Sequence, residues 1–282
     1  MSAILSVRDL TKTYPGFTLN GVSFDLREGA VTGFIGRNGA GKSTTLKCLL
    51  NLVHPEGGGI SFFGMDFAAH EQDCKARLGF VPGAFGSYAQ KKLSAVAAVT
   101  RRFYPQWDEG MYRSCLSRFA LDEGKRVREL SAGMQVKFSL ALALSHKAEL
   151  LLLDEPTSGL DPVSRDELLD LFLELVREDG VSILFSTHIT SDLDKCADDI
   201  LYLKNGSLAG SGTLKSFLGQ YRAAHFDVRP GSDTAKRLLG LKRDKEGWSA
   251  LVKAADGPVP GAVLSPADLE TVMVHLDREA SI

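Results

Sequence analysis

Cysteine is scarce: Cys48, Cys74, Cys115 and Cys196 are the only four in 282 residues, and they lie far apart with no Cys-x-x-Cys pair. That spacing excludes a cysteine metal-ligand cluster, and four reduced thiols fit a cytosolic protein. Long apolar runs are missing too. FSLALALS at 138–145 is the longest candidate, well below the roughly 18–20 residues that cross a bilayer. The start, MSAILSVRDL, is broken by Arg8 and Asp9, so neither a signal peptide nor a span is expected. A link to a membrane is therefore expected to run through another chain. Charge of one sign is lacking as well: the net charge is −2 and the pI near 6.3. Nucleic-acid binding usually shows as a clustered basic excess, and no nucleic-acid partner is expected. Internal repeats and low-complexity tracts are absent.

What remains is the composition of a soluble globular protein, 44% hydrophobic and 24% charged, long enough for one large domain with an appendage. Short apolar segments alternate with helical patterns: ILSV (4–7), VSFDL (22–26), VTGFIG (31–36), LLLLD (150–154), VSILFST (181–187) and ILYLK (200–204). Such alternation predicts an α/β fold with a mostly parallel sheet covered by helices. LLLL at 150–153 is apolar at every position, as a central strand buried on both faces would be. Between about 88 and 147 the pattern turns helical, which reads as an insertion. After about 216 the texture changes to a small αβ appendage, with a helix-like DTAKRLLG, a Gly-Pro-rich GPVPGAV and a last helix expected from Pro266 to about Leu276.

The strongest local signal is Gly36-Arg-Asn-Gly39-Ala-Gly41-Lys42-Ser43, a glycine-rich loop with a strand before it and a helix after it. This is a phosphate loop in its required context. Glycines let successive backbone N–H groups point at phosphate oxygens, and the helix adds its positive dipole end. Gly36, Asn38, Gly39, Ala40, Gly41, Lys42, Ser43 and Thr44 are thus expected around the phosphates of a nucleotide, with Lys42 on the β and γ phosphates and the Ser43 hydroxyl on Mg2+. In LLLLDEP, Asp154 ends a buried strand where α/β folds hold ligands, and is expected in the Mg2+ shell. Glu155 follows as the group that polarises an attacking water.

At this point the chain resembles the nucleotide-binding subunit of ATP-binding cassette (ABC) transporters over about residues 3–215. LSAGM (130–134) looks like the family's signature motif, SGLD (158–161) like the loop that crosses its dimer interface, and STH (186–188) like its histidine loop. The resemblance implies a P-loop NTPase: a mostly parallel sheet, an N-terminal antiparallel β portion, a helical subdomain at about 84–147 and an extension at 216–282. It also implies that Tyr14 stacks on adenine, that His188 contacts the γ phosphate, and that Ser131, Gly133 and Asp161 serve a nucleotide held by a second nucleotide-binding subunit. Each chain then needs a partner cassette, identical or homologous, and a polytopic membrane permease that holds it at the cytoplasmic face.

Two features are similar to bacterial subunits that pair with ABC-2-type membrane proteins, a group associated with peptide-antibiotic export or resistance. They are Met134 in the signature and FYPQWD at 103–108. One feature departs from the family: after Gly79-Phe80-Val81-Pro82, where a glutamine that reaches Mg2+ and water is usual, the chain has Gly83. Two other readings stay open: a soluble ABC-type ATPase acting on ribosomes or DNA, and a regulatory module that binds ATP without hydrolysing it. The extension reads as a stabilising cap or as a regulatory or dimerising element.

Overall fold

The computed structural model describes residues 3–82 and 88–278; Gly83 lies outside them. The chain begins with β1 (Ala3–Tyr14) and β2 (Phe17–Arg27), an antiparallel hairpin turning at Pro15-Gly16. The all-buried β3 (Val31–Ile35) leads through the glycine-rich loop into α1 (Lys42–Leu49). Next come β4 (Gly57–Phe62), β5 (Met65–Asp66), α2 (Glu71–Ala76) and β6 (Leu78–Val81). The helical stretch follows as α3 (Leu93–Thr100), α4 (Glu109–Arg118) and α5 (Ala132–Ser145). The chain then returns to the sheet with β7 (Leu150–Asp154), α6 (Pro162–Asp179), β8 (Ser182–Thr187), α7 (Thr190–Cys196), β9 (Asp199–Lys204) and β10 (Ser207–Thr213). Last are α8 (Leu214–Gly219), β11 (Tyr221–Phe226), α9 (Ser232–Ala235), β12 (Leu239–Arg243), β13 (Trp248–Lys253), β14 (Val263–Pro266) and α10 (Leu269–Arg278).

Three sheets organise these strands. The central one has six strands in the order β10-β9-β3-β8-β7-β6. Neighbours from β9 to β6 are parallel, and only the edge strand β10 is antiparallel. Residues Leu150 to Leu153 are fully buried, because helices cover both faces of a parallel sheet. The second sheet, β2-β1-β4-β5, is the antiparallel portion, and the third, β12-β13-β11-β14, belongs to the C-terminal segment. The fold is therefore the α/β architecture expected from the sequence.

In the central sheet the parallel register sets Asp154 beside Ser186, and Ile35 beside Thr187. Strand ends of this kind form the ligand crevice of open α/β sheets.

Two C-terminal expectations are corrected. The last helix starts at Leu269 rather than Pro266, because Val263–Pro266 pairs with β11 as an edge strand, where proline's missing N–H costs no ladder bond. Asp268 then starts the helix by accepting the Thr271 N–H at 2.7 Å. DTAKRLLG is helical only through Ala235; Leu239 and Gly240 already belong to β12, which pairs with β13. Leu269, Val272 and Met273 of α10 join the same buried cluster as Phe172, Phe185 and Leu193 of the central layers. Among the described residues, no helix is long and apolar enough to cross a membrane.

Candidate functional site

The loop between β3 and α1 is shaped by what cannot fit there. A Cβ on Gly36 would sit 2.3 Å from the carbonyl oxygen of Leu203, and one on Gly41, at φ +112°, would sit 2.7 Å from the Phe17 ring. Glycine at both points lets the loop lie flat against its neighbours. Gly41 is the N-cap of α1, with no side-chain cap among the described residues and no acid in the first turn, so the helix keeps its N–H donors and positive end for an anion. Asn38, Gly39, Lys42, Ser43 and Thr44 line the cleft above it, about 610 Å³ in volume, within the range of small-molecule sites. Ala40 is buried beneath, where its carbonyl accepts from the Gly206 N–H at 3.0 Å.

Lys42 is only 4% exposed. Its ammonium donates to the Gly36 carbonyl at 2.7 Å and pairs with Glu155 at 3.6 Å. Burial pulls its pKa below the ordinary lysine value, opposed by the charges of Glu155 and Asp154. At the neighbouring strand end, Asp154 Oδ1 accepts from the Ser43 hydroxyl at 3.0 Å and from the Ser186 hydroxyl at 2.7 Å. Glu155 has a left-handed backbone, φ 51°, uncommon for a residue with a side chain. Its N–H is held by the Ser186 carbonyl and hydroxyl at 3.1 and 3.0 Å. That turn aims the carboxylate back at the loop, where Oε2 lies 2.7 Å from His188 Nδ1, so the ring donates to the carboxylate. Lys42, Ser43, Asp154, Glu155 and His188 thus form one connected cluster.

Tyr14 stands at the end of β1, 39% exposed, opposite Phe17 in the hairpin register. Phe17, not Tyr14, lines the cleft. The sequence carried its signal, an aromatic directly after Pro15-Gly16, but the resemblance drew attention to Tyr14 alone.

Ser131, Gly133 and Asp161 do not line this cleft. Ser131 caps α5 by accepting the Met134 N–H at 3.3 Å. Asp161 caps α6 through the N–H groups of Val163 and Ser164, both at 3.0 Å, and holds the Ser164 hydroxyl at 2.6 Å. Those bonds, the Ser164 hydroxyl foremost, keep its carboxyl below the usual range. A Cβ on Gly133 would meet Leu160 and Ser164 at 3.6 and 3.7 Å, so the starts of α5 and α6 lie side by side. The site residues therefore fall into two groups: a phosphate-loop cluster and a pair of capped helix starts.

The family profile that matches is that of the ABC transporter, over residues 19–158. The chain is 31% identical over 219 residues to the ABC transporter ATP-binding protein YtrB of Bacillus subtilis, 77% of this chain and 75% of the relative. It is 33% identical over 211 residues to the bacitracin transport ATP-binding protein BcrA of Bacillus licheniformis, 74% of this chain and 69% of that one. A solved ATP-binding subunit of an ABC transporter superposes with a TM-score of 0.67 at 30% identity, covering 76% of this chain and 91% of that chain. A dimeric ATP-binding cassette solved with ADP and Pi shares the fold, TM-score 0.65 at 24% identity over 74% of this chain and 98% of that one.

Proposed function

Because the chain belongs to the ABC transporter family as an ATP-binding subunit with ATPase activity, we propose that it closes around two ATP molecules with a second nucleotide-binding subunit and so drives a separately encoded membrane exporter. The observation that carries this reading is the division of the site: the capped starts of α5 and α6 lie off the cleft that holds Lys42 and Glu155. Two such chains set head to tail would bring one group against the other. Only the closed pair completes the phosphate contacts of Ser131 and Gly133, so ATP favours it. Charge-assisted hydrogen bonds contribute about 1.5–3 kcal/mol each, and a few suffice to shift that equilibrium.

In this mechanism the N–H groups of Gly39 and of Gly41 to Thr44 cradle the phosphates, while the Ala40 N–H stays on the Arg37 carbonyl at 3.0 Å, and Lys42 turns from the Gly36 carbonyl to a phosphate oxygen. Glu155 accepts a proton from the attacking water as the bond to the γ phosphorus forms and the bond to the leaving ADP oxygen breaks. His188 fixes one carboxylate oxygen through its 2.7 Å contact, which leaves the other to orient the water, and it contacts the γ phosphate. Tyr14 and Phe17 flank the adenine side. The oxygen donors of Ser43 and Asp154, 3.0 Å apart, suit Mg2+, which prefers oxygen ligands and keeps waters and phosphates in its shell. Bound there, the ion neutralises phosphate charge.

Residues 1–215 then form the nucleotide-binding unit, with its helical portion at about 84–147, and 216–282 a cap. The shared burial of Leu269, Val272 and Met273 with the central layers supports the cap. The likeness to BcrA, with Met134 and FYPQWD, supports export and a peptide-antibiotic cargo; the chain then works at the cytoplasmic face, held by its permease. Affinity purification of the native protein from solubilised membranes tests this reading. A polytopic membrane protein should copurify and stimulate ATP turnover; co-sedimentation with ribosomes and no membrane partner would overturn it.

A further inference from the structure

We infer that Asp192 is a positioning residue for ATP hydrolysis: it clamps the loop that carries Glu155 to the helix that follows His188. The inference rests on the roles given above to Glu155 and His188. Asp192 lies in the first turn of α7 and is only 1% exposed. Its Oδ2 accepts the hydroxyl of Thr157 at 2.7 Å, and Thr157, itself 1% exposed, stands two residues after Glu155. Its Oδ1 lies 3.9 Å from Nε of Arg165 in α6, a buried nitrogen with no other partner among the described residues. One carboxylate therefore gathers three segments: the turn after β7, the helix headed by Asp161, and the helix entered from His188.

The physical need for such a clamp is visible at Glu155. A left-handed backbone at a residue with a side chain costs on the order of 1–3 kcal/mol and persists only where surrounding contacts over-determine it. Ser186 holds that turn from the side of β8. Asp192 adds a second hold, through Thr157, and ties the turn to the helix that follows the histidine. The 2.7 Å contact between His188 and Glu155 depends on the relative placement of those two loops. Burial raises the Asp192 pKa, opposed by the Thr157 hydrogen bond and by the charges of Arg165 and His188.

Thr157→Val removes the hydroxyl while keeping the shape, and Thr157→Ser keeps it. Steady-state turnover and ATP titration on Asp192→Asn, Thr157→Val and Thr157→Ser, each with a melting temperature, test the clamp. Thr157→Val is expected to lower kcat by about 10- to 100-fold, the scale of a 1 Å misplacement, with ATP affinity held within about twofold, and Thr157→Ser to restore it. In a His188→Ala background the further loss from Asp192→Asn should vanish, because residues acting as a unit are not additive. A wild-type kcat in folded Thr157→Val, or full additivity with His188→Ala, would overturn the clamp. Wild-type turnover in Glu155→Gln and His188→Ala themselves would instead overturn the reading beneath it.

Discussion

Replacing Lys42 by methionine separates binding from stability. Methionine keeps the unbranched stem and removes the charge, and Lys42 is 4% exposed with its ammonium 2.7 Å from the Gly36 carbonyl and 3.6 Å from Glu155. At that separation and an effective dielectric near 20, the attraction to Glu155 is roughly 4–5 kcal/mol. Burial still pulls the lysine pKa below its ordinary value, so desolvation outweighs this attraction and a neutral side chain is not penalised in the empty fold. Losing the Gly36 hydrogen bond costs about 1 kcal/mol and is offset by that relief. On the phosphate the balance is different, because a charge-assisted bond worth about 1.5–3 kcal/mol disappears with nothing in its place. ATP affinity should therefore fall about 10- to 150-fold, while the melting temperature of the empty protein stays within a few degrees. Calorimetric titration with ATP and a thermal melt without it measure both. Unchanged affinity would refute the phosphate role, and a melting point lowered by more than about 10 °C would show that the cation holds the fold together.

Glu155→Gln should keep ATP affinity and lose about 100- to 10,000-fold in turnover, the range for removing a positioned base; a normal steady-state rate would dismiss the assignment. Gly36→Ala should destabilise the chain by about 1–3 kcal/mol, since its Cβ would press on the backbone oxygen of Leu203 at 2.3 Å; an unchanged urea midpoint would show that the loop has room. His146 is buried against Tyr104, ring centroids 3.8 Å apart, and burial lowers its pKa to about 4, only partly opposed by backbone contacts at His146 and Ala76. The unfolded chain protonates this ring first as pH falls. Its neutral burial is thus fully tolerated above about pH 6.5, and stability drops by about 3 kcal/mol between there and pH 4. Denaturation at pH 7 and pH 5 on wild type and His146→Phe should show a steeper fall in the wild type; parallel curves would contradict it.

How much of this was legible depended on whether the chemistry sat in a contiguous stretch. The phosphate loop, the Asp154-Glu155 strand end and the motifs that hold Ser131 and Asp161 each announce themselves within a few residues. The helix expected after the phosphate loop begins at Lys42, and Ser131 and Asp161 prove to cap α5 and α6. The buried strands β3, β7 and β8 were legible for the same reason, as near-continuous apolar runs. The Gly-rich strand Gly57–Phe62 has no clean alternation and was silent. So were the boundaries in the C-terminal segment, where pairing with β11 and β13 overrode the helical look of RLLG and of Pro266. Asp192 was out of reach because its partner Thr157 is 35 residues away, and a lone aspartate on a short helix reads as solvated until its burial is known.

Sedimentation of Glu155→Gln with and without ATP reads the ATP-driven pairing itself. ATP should shift the variant from a single chain of 30.5 kDa to a pair, and Ser131→Arg, which blocks the start of α5, should abolish that pair. A chain that binds ATP yet keeps its single-chain mass would contradict it.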